Sequence, residues 1–308
     1  MELVFLGTGA GTPSRQRNVT AIALDLLAEN GAYWLFDCGE GTQQQILRSS
    51  VKLGKLDKIF VTHLHGDHIF GIPGLLSTRA NQGGVTPLTV FGPPGIRTYI
   101  ETSLNCSQSR LTYPLEIIEI NDGIIYEDIS FIVEALHVEH RIECFGYRIV
   151  EKNRPGKLEV EKLKAMKIAS GPTFGLLKQG ETVILTDGTV LHGRDFIGPE
   201  IVGRKLAILG DTRRCASAVQ LSRAVDVIVH EATFDVSNQD LADKYFHSTT
   251  VDAARTAHEA GAKVLILTHF SSRYQDVDLP ALASEAQTVF KPVYLAADFY
   301  SYIVERQD

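Results

Sequence analysis

The stretch Lys58-Ile59-Phe60-Val61-Thr62-His63-Leu64-His65-Gly66-Asp67-His68 decides how the rest of the chain is read. Residues 59–62 are apolar or β-favouring, the pattern of a short buried strand. They run directly into three histidines and an aspartate within six positions. Imidazole nitrogen and carboxylate oxygen are the donors that zinc and similar divalent cations take. Burying such a cluster without a cation would leave several polar groups to be satisfied, which is costly. Gly66 is expected to let the backbone turn sharply enough for its neighbours to converge. The stretch reads as one half of a metal site, and the other half must come from elsewhere in the chain.

The chain has 308 residues, 44% hydrophobic and 22% charged, an ordinary globular profile with ample material for a core. No apolar run is long enough to span a bilayer, so no membrane role is expected. Met1-Glu2-Leu3-Val4-Phe5-Leu6-Gly7 lacks the basic flank and long apolar region of a signal peptide and reads as a first strand. The cysteines, Cys38, Cys106, Cys144 and Cys215, are scattered and form no C-x-x-C pair. That predicts reduced thiols and a cytoplasmic setting. Cys38 reads as a small packing residue.

Working outward from the histidine stretch, the same design recurs. Trp34-Leu35-Phe36 stops at Asp37, and Leu206-Ala207-Ile208-Leu209 at Gly210-Asp211. Val227-Ile228-Val229 stops at His230-Glu231, and Val264-Leu265-Ile266-Leu267 at Thr268-His269. Five apolar strands thus end at a group able to bind or orient a cation, as expected where ligands sit outside strand ends in α/β sheets. Amphipathic stretches at 69–79, 95–104, 216–222, 249–259 and 279–290 suit covering helices. Residues 115–120, 129–136 and 145–150 are β-like, and His137 and His140 follow the second of them. Residues 21–26 and 32–36 form a hairpin turning at Asn30-Gly31.

Gly7-Thr8-Gly9-Ala10-Gly11 is either a phosphate cradle or a tight connection; without a following Lys-Ser/Thr, the connection is favoured. Pro13-Ser14-Arg15-Gln16-Arg17-Asn18 is a basic loop that is solvated or faces a polyanion. The net charge of −7 argues against the whole surface binding nucleic acid. Between 148 and 178, however, eight basic residues stand against three acidic ones, a local excess of +5. Residues from about 151 to 199 are basic, then glycine-rich, and read as an arm inserted into the domain.

His63-Leu64-His65-Gly66-Asp67-His68, followed by His140, Asp211 and His269, resembles the metallo-β-lactamase superfamily. The chain is similar over essentially its whole length to the ribonuclease Z (tRNase Z, short form) family. The narrower signals are Pro13 to Asn18, Phe36-Asp37-Cys38-Gly39-Glu40-Gly41-Thr42, His230-Glu231-Ala232-Thr233 and His247-Ser248-Thr249. Arg15 stands where that family usually carries lysine, which keeps the charge. The resemblance implies an αββα sandwich of the α/β (α+β) class over residues 1–308. It has two mixed β-sheets flanked by helices, with 151–199 as a flexible RNA-binding arm, or exosite.

The resemblance also implies an activity. It would be that of a zinc-dependent endoribonuclease, removing the 3′ trailer of precursor tRNA to leave a 3′-hydroxyl, with a metal-bound hydroxide as nucleophile. Two divalent metal ions per chain are expected, Zn2+ first, with Mn2+ and Co2+ also suited to these ligands. His63, His65 and His140 would hold one; Asp67, His68 and His269 the other; Asp211 would bridge them. Asp67 would orient or deprotonate the nucleophile, with orientation the surer role because a carboxylate on a cation keeps a low pKa. His247 is read in two ways, as a neighbour of an N-cap at Ser248 or Thr249 and as the acid that protonates a departing ribose 5′-oxygen. Given the resemblance, the second is favoured. Glu231 would hold an active-site histidine, and Asp37 would be structural or play a similar role. His192, His230 and His258 read as surface or packing residues.

Arg15, Arg17, Lys152, Arg154, Lys157 and Arg273 are the candidate substrate-binding residues, with Arg213 and Arg214 in loops near the same strand ends. The arm is expected to serve a partner subunit's site, so a homodimer follows from the resemblance. The alternative function is a small-molecule phosphodiesterase or another hydrolase of the superfamily, which needs the metal core but no basic arm. A binding protein with a silent metal site is disfavoured by the complete ligand set.

Overall fold

Successive residues of a strand face opposite ways, and in this chain both ways are often apolar. The computed structural model describes residues 1–275 and 277–306. Along Glu2–Gly7, Leu3 and Phe5 enter one buried cluster while Val4 and Leu6 enter another. Along Ala32–Phe36, Trp34 and Phe36 likewise part from Tyr33 and Leu35. Along Lys205–Leu209, Leu206 and Ile208 share the first cluster while Ala207 and Leu209 enter a third. Strands with two apolar faces must be covered twice, and the chain meets this with two sheets face to face and helices outside.

The chain divides into two units, Met1–Val150 with Arg204–Glu305, and Glu151–Gly203 with Arg306. In the first, one seven-stranded sheet runs in the order Ser301–Ile303, Glu2–Gly7, Ala21–Leu26, Ala32–Phe36, Leu56–Phe60, Leu88–Gly92, Leu115–Glu119. The other runs Val293–Leu295, Val264–Thr268, Val227–Glu231, Lys205–Leu209, Cys144–Glu151, Phe131–Val138, Gly123–Glu127. Both sheets are mixed. Ala32–Phe36 is antiparallel to Ala21–Leu26 and parallel to Leu56–Phe60. Lys205–Leu209 is antiparallel to Cys144–Glu151 and parallel to Val227–Glu231.

An aromatic layer joins the sheets. Phe60 stacks on Phe36 and Phe91 at 5.0 Å, and Trp34 meets Phe131 edge-on at 5.2 Å. Helices Thr42–Leu47, Ile72–Asn81 and Ile96–Cys106 cover the outside of the first sheet. Helices Ala216–Leu221, Thr250–Ala260 and Leu279–Gln287 cover the outside of the second. Helix Thr250–Ala260 starts in a capping box in which Thr249 and Asp252 each accept the other's backbone amide. It ends at Gly261, whose φ of 62° suits glycine. The αββα sandwich expected from the resemblance is the architecture of this unit.

Details differ from the sequence reading. The strand expected at 59–62 is Leu56–Phe60, and 61–65 continue as irregular backbone. The helix expected at 69–79 is two, Gly66–Ile69 and Ile72–Asn81, the second begun by Pro73 in its first turn. Gly66 does not make the sharp turn expected of it; it lies inside the first of these helices and has no positive φ. A Cβ there would meet the Phe70 ring at 2.1 Å, so the glycine makes room for a side chain one turn on. Gly123–Glu127, Val293–Leu295 and Ser301–Ile303 are edge strands too short or too exposed to show a pattern.

The second unit holds helices Val160–Ala165 and Pro172–Lys178 and a hairpin of Thr182–Ile184 with Val190–His192. Leu163, Leu177, Leu191 and Phe196 bury a small core of their own. The sequence suggested no core here, because these four apolar residues are spread among many charges. Among the described residues, no helix is long and apolar enough to cross a membrane.

Candidate active site

The strands deliver their terminal residues to one rim, and local hydrogen bonds then aim each ring. Asp37 follows Ala32–Phe36 with a left-handed backbone, φ 58°, sparsely populated for a residue with a Cβ. Its Oδ1 accepts the amide of Thr62 at 2.7 Å, and its Oδ2 accepts the Thr62 hydroxyl at 2.8 Å and Nδ1 of His68 at 2.7 Å. Having donated to Asp37, Thr62 Oγ1 is left to accept Nδ1 of His63, 2.9 Å away. The Phe246 carbonyl takes Nδ1 of His140 at 3.0 Å. Thr233 Oγ1 donates to Glu231 at 2.8 Å and accepts Nδ1 of His269 at 2.9 Å. In all four histidines Nδ1 is engaged by a protein oxygen, so Nε2 is the nitrogen turned inward.

Two groups of donors result. Nε2 of His63 and Nε2 of His140 lie 3.0 and 3.2 Å from Nδ1 of His65. Burial holds all three histidines below their usual pKa, which favours the neutral rings that a cation takes as ligands. In the second group, Nε2 of His68 and Nε2 of His269 each lie 3.5 Å from Asp67 Oδ2. Asp211 joins the groups. Its Oδ2 is 3.7 Å from His63, while its Oδ1 is 3.5 Å from His68 and 3.4 Å from His269. Burial alone would push the Asp211 pKa up, but His269, His68 and His63 around it hold it well below the carboxylate range.

These residues fit divalent cations. Nε2 of His68 and Nε2 of His269 are buried with no hydrogen-bond partner. Spacings of 3.4–3.7 Å are long for hydrogen bonds. They are those of ligands that share a centre about 2.1 Å from each, about 3.4 Å apart in a tetrahedron.

A cleft of about 300 Å³ opens on the rim, lined by Gly11, His65, Asp67, His140, Asp211, Phe234, Tyr245, His247 and His269 among others. Gly11 donates its amide to Asp67 Oδ2 at 2.7 Å, so the glycine turn is a connection that also steadies an acidic residue. His247 lies beside the donors, its Nδ1 2.8 Å from Glu231 Oε1. Burial opposes a charge on His247, but Glu231 and then Asp211 push its pKa up to about 9. Glu231 itself is fully engaged. It accepts the amides of Thr212, Ser248 and Thr233 at 3.2, 3.0 and 3.0 Å, as well as the Thr233 hydroxyl. Thr249 caps the following helix, while His247 lines the cleft.

A curated relative from Geobacillus kaustophilus named Ribonuclease Z is 54% identical over 306 residues, 99% of this chain and 100% of its own length. The chain belongs to the ribonuclease Z family. Another member, from Bacillus mycoides, is 56% identical over 307 residues, 99% of this chain and the whole of its own. The family model described as Anti-Pycsar protein Apyc1 matches residues 1–289, so the chain falls within that family as well. Among solved structures, human tRNase Z, short form, is similar with a TM-score of 0.72 at 31% identity, covering 99% of this chain and 100% of its own. The metallo-β-lactamase fold protein YhfI from Bacillus subtilis shares the fold, with a TM-score of 0.69 at 20% identity over 98% of each chain.

Not every candidate residue reaches the rim. Arg17, expected to bind substrate, is instead 5% exposed. Its Nη1 donates to Thr8 Oγ1 at 2.7 Å and to the Ala296 carbonyl at 3.0 Å, and its guanidinium lies over the Phe270 ring. It is a structural cross-link, because a buried guanidinium has to spend its donors on nearby oxygens. Arg15 is exposed and lines a separate polar hollow with Gln45, Arg48 and Phe299. Arg273 is exposed, 5.0 Å over the ring of Phe234. Lys152, Arg154 and Lys157 lie in the second unit, where Arg154 pairs with Glu151 at 2.6 Å. Arg213 pairs with Glu139 at 2.7 Å, and Arg214 with Glu259. His230 is buried and donates to the Glu231 carbonyl, whereas His192 and His258 are exposed. The sequence marked Gly11 only as part of a glycine turn, and did not single out Arg141, Tyr245 or the Phe246 carbonyl. Only proximity in sequence to His140 and His247 hinted at the last three.

Proposed function

We propose that this protein cuts precursor tRNA at the 3′ end of the mature sequence, hydrolysing a phosphodiester to leave a 3′-hydroxyl on the tRNA. The observation that carries the reading is Asp211, shared between two histidine groups at the floor of one open cleft. Its full-length relatives named Ribonuclease Z support the substrate. His63, His65 and His140 would hold one divalent ion, Asp67, His68 and His269 a second, and Asp211 both; zinc suits these donors best, with manganese and cobalt also accommodated. Bound there, the pair would acidify a water and neutralise charge on the phosphodiester.

The chain's own residues do the rest. Asp67, steadied by the Gly11 amide, orients the attacking water. His247, anchored through Nδ1 to Glu231, turns Nε2 toward the cleft and supplies a proton to the leaving oxygen. A 3′-hydroxyl product requires the bond between phosphorus and the ribose 3′-oxygen to break, with the phosphate left on the trailer. The expectation of a 5′-oxygen leaving group is therefore corrected: His247 protonates the 3′-oxygen. The unit beginning at Glu151 serves as the RNA-binding arm through Lys152, Arg154 and Lys157, and the enzyme works as a cytoplasmic homodimer.

Mapping the ends produced from a 3′-extended tRNA precursor, with metal analysis of the same sample, tests this. Cleavage with a 3′-hydroxyl on the tRNA, about two ions per chain, and complete loss of cleavage in Asp67→Ala with RNA binding retained are the expected results. A fully active Asp67→Ala, or one tightly held ion, would overturn the mechanism. Cleavage of small phosphodiesters but not of the precursor would favour the alternative hydrolase.

A further inference from the structure

We infer that Tyr245 forms a base-stacking subsite at the mouth of the cleft, for the nucleotide that carries the leaving oxygen. Tyr245 closes helix Gln239–Tyr245, lines the cleft, and is 37% exposed. Phe246 follows with a left-handed backbone, φ 59°, and hands its carbonyl to His140. His247 comes next, so the ring is held two residues from the group proposed to protonate the leaving oxygen.

The ring is also charged on its surroundings. The Arg141 guanidinium lies over the ring, 4.8 Å from its centroid, and so does the Lys244 ammonium, at 5.3 Å. Arg141 is itself exposed, lines the cleft, and is tied by its Nη2 to the Lys244 carbonyl at 3.0 Å. A part-exposed ring with two cations over it matches one nucleotide of single-stranded RNA, the base stacking on the ring as the cations turn to its phosphate. Such stacking accepts any base, which suits an enzyme that must process many tRNAs. Neither cation has a carboxylate partner among the described residues within ion-pairing distance, so both are available to phosphate.

The inference rests on the proposed cleavage reaction for the identity of the nucleotide. Wild type, Tyr245→Leu and Tyr245→Trp would be assayed on a 3′-extended tRNA precursor, intact or lacking the base just 5′ of the cut. Tyr245→Leu keeps apolar bulk without a π face and should raise KM on the order of tenfold, with a smaller change in kcat, while Tyr245→Trp restores KM. On the base-free precursor, Tyr245→Leu should make no further difference. Equal KM in all variants, additive penalties, or sensitivity to the base 3′ of the cut instead would overturn the assignment. Should wild type fail to cleave the precursor, the cleavage reading falls. Fluorescence anisotropy with short single-stranded RNA, with and without one base, then still decides the subsite by the same non-additivity.

Discussion

His68 donates Nδ1–H to Asp37 across 31 residues of sequence at 2.7 Å, and this bond turns the opposite nitrogen of the ring onto Asp67 and Asp211. Asp37 also holds the Thr62 amide and hydroxyl. One carboxylate at the end of a strand in the first sheet therefore sets both the path of the 61–65 segment and the orientation of two donors. Asp37→Asn should weaken divalent-metal affinity about 10–100-fold, as loss of a ligand's outer partner does. Chelator competition measures this, and unchanged affinity would show that the bond is incidental.

His247 is proposed to protonate a poor leaving group. His247→Ala should lower kcat on precursor RNA by roughly 10²–10⁴. The loss should be far smaller on bis(p-nitrophenyl) phosphate, whose phenolate departs without a proton. Similar losses on both substrates would mean that the residue does something else.

The ends of the inserted unit can be rejoined. Val150 and Lys205 are direct partners in the antiparallel pair of Cys144–Glu151 with Lys205–Leu209. Replacing residues 152–203 by a short Asn-Gly turn should give a folded protein, since such turns join antiparallel strands. Metal content and hydrolysis of a small phosphodiester should persist while KM for precursor RNA rises. Equal loss on both substrates would show that the segment is needed by the fold and not only by RNA.

Close packing makes one glycine a sensitive probe. A Cβ on Gly39 would meet the carbonyl oxygen of Asp67 at 2.3 Å and the Val19 side chain at 2.5 Å. Backbone cannot yield as the tip of a side chain can, so Gly39→Ala should displace Asp67. Loss of cleavage with a native far-UV circular dichroism spectrum is expected, and full activity would contradict the geometry.

His137 stands between Asp122 and Glu143, 2.7 and 2.8 Å away, bracketing the turn that carries His140. Burial opposes its charge, but the bonds to Glu143 and Asp122 raise its pKa above the usual 6.5. A group whose folded pKa is raised stabilises most below its unfolded pKa, and that contribution is lost as pH rises through the folded value. The Tm difference between wild type and His137→Gln should therefore be largest at and below about pH 6.5 and shrink at higher pH. A difference that grows with pH would reverse the assignment.

What the sequence by itself determined was the set of strands and the chemistry at their ends. Apolar runs are local and periodic, and Asp37, His63, Asp211, Glu231 and His269 each follow one, so their common rim was legible. It could not separate Arg15 from Arg17. Both sit in the same polar loop, and only the packed chain reveals that Arg17 is buried against Thr8, Ala296 and Phe270. Nor could it tell that Glu231 serves His247, that the Gly11 amide steadies Asp67, or that Gly66 makes room for a ring. Those choices rest on distances between residues far apart in the chain. A hydrogen bond forms or fails within a few tenths of an ångström, and only the closing of the two sheets sets such distances.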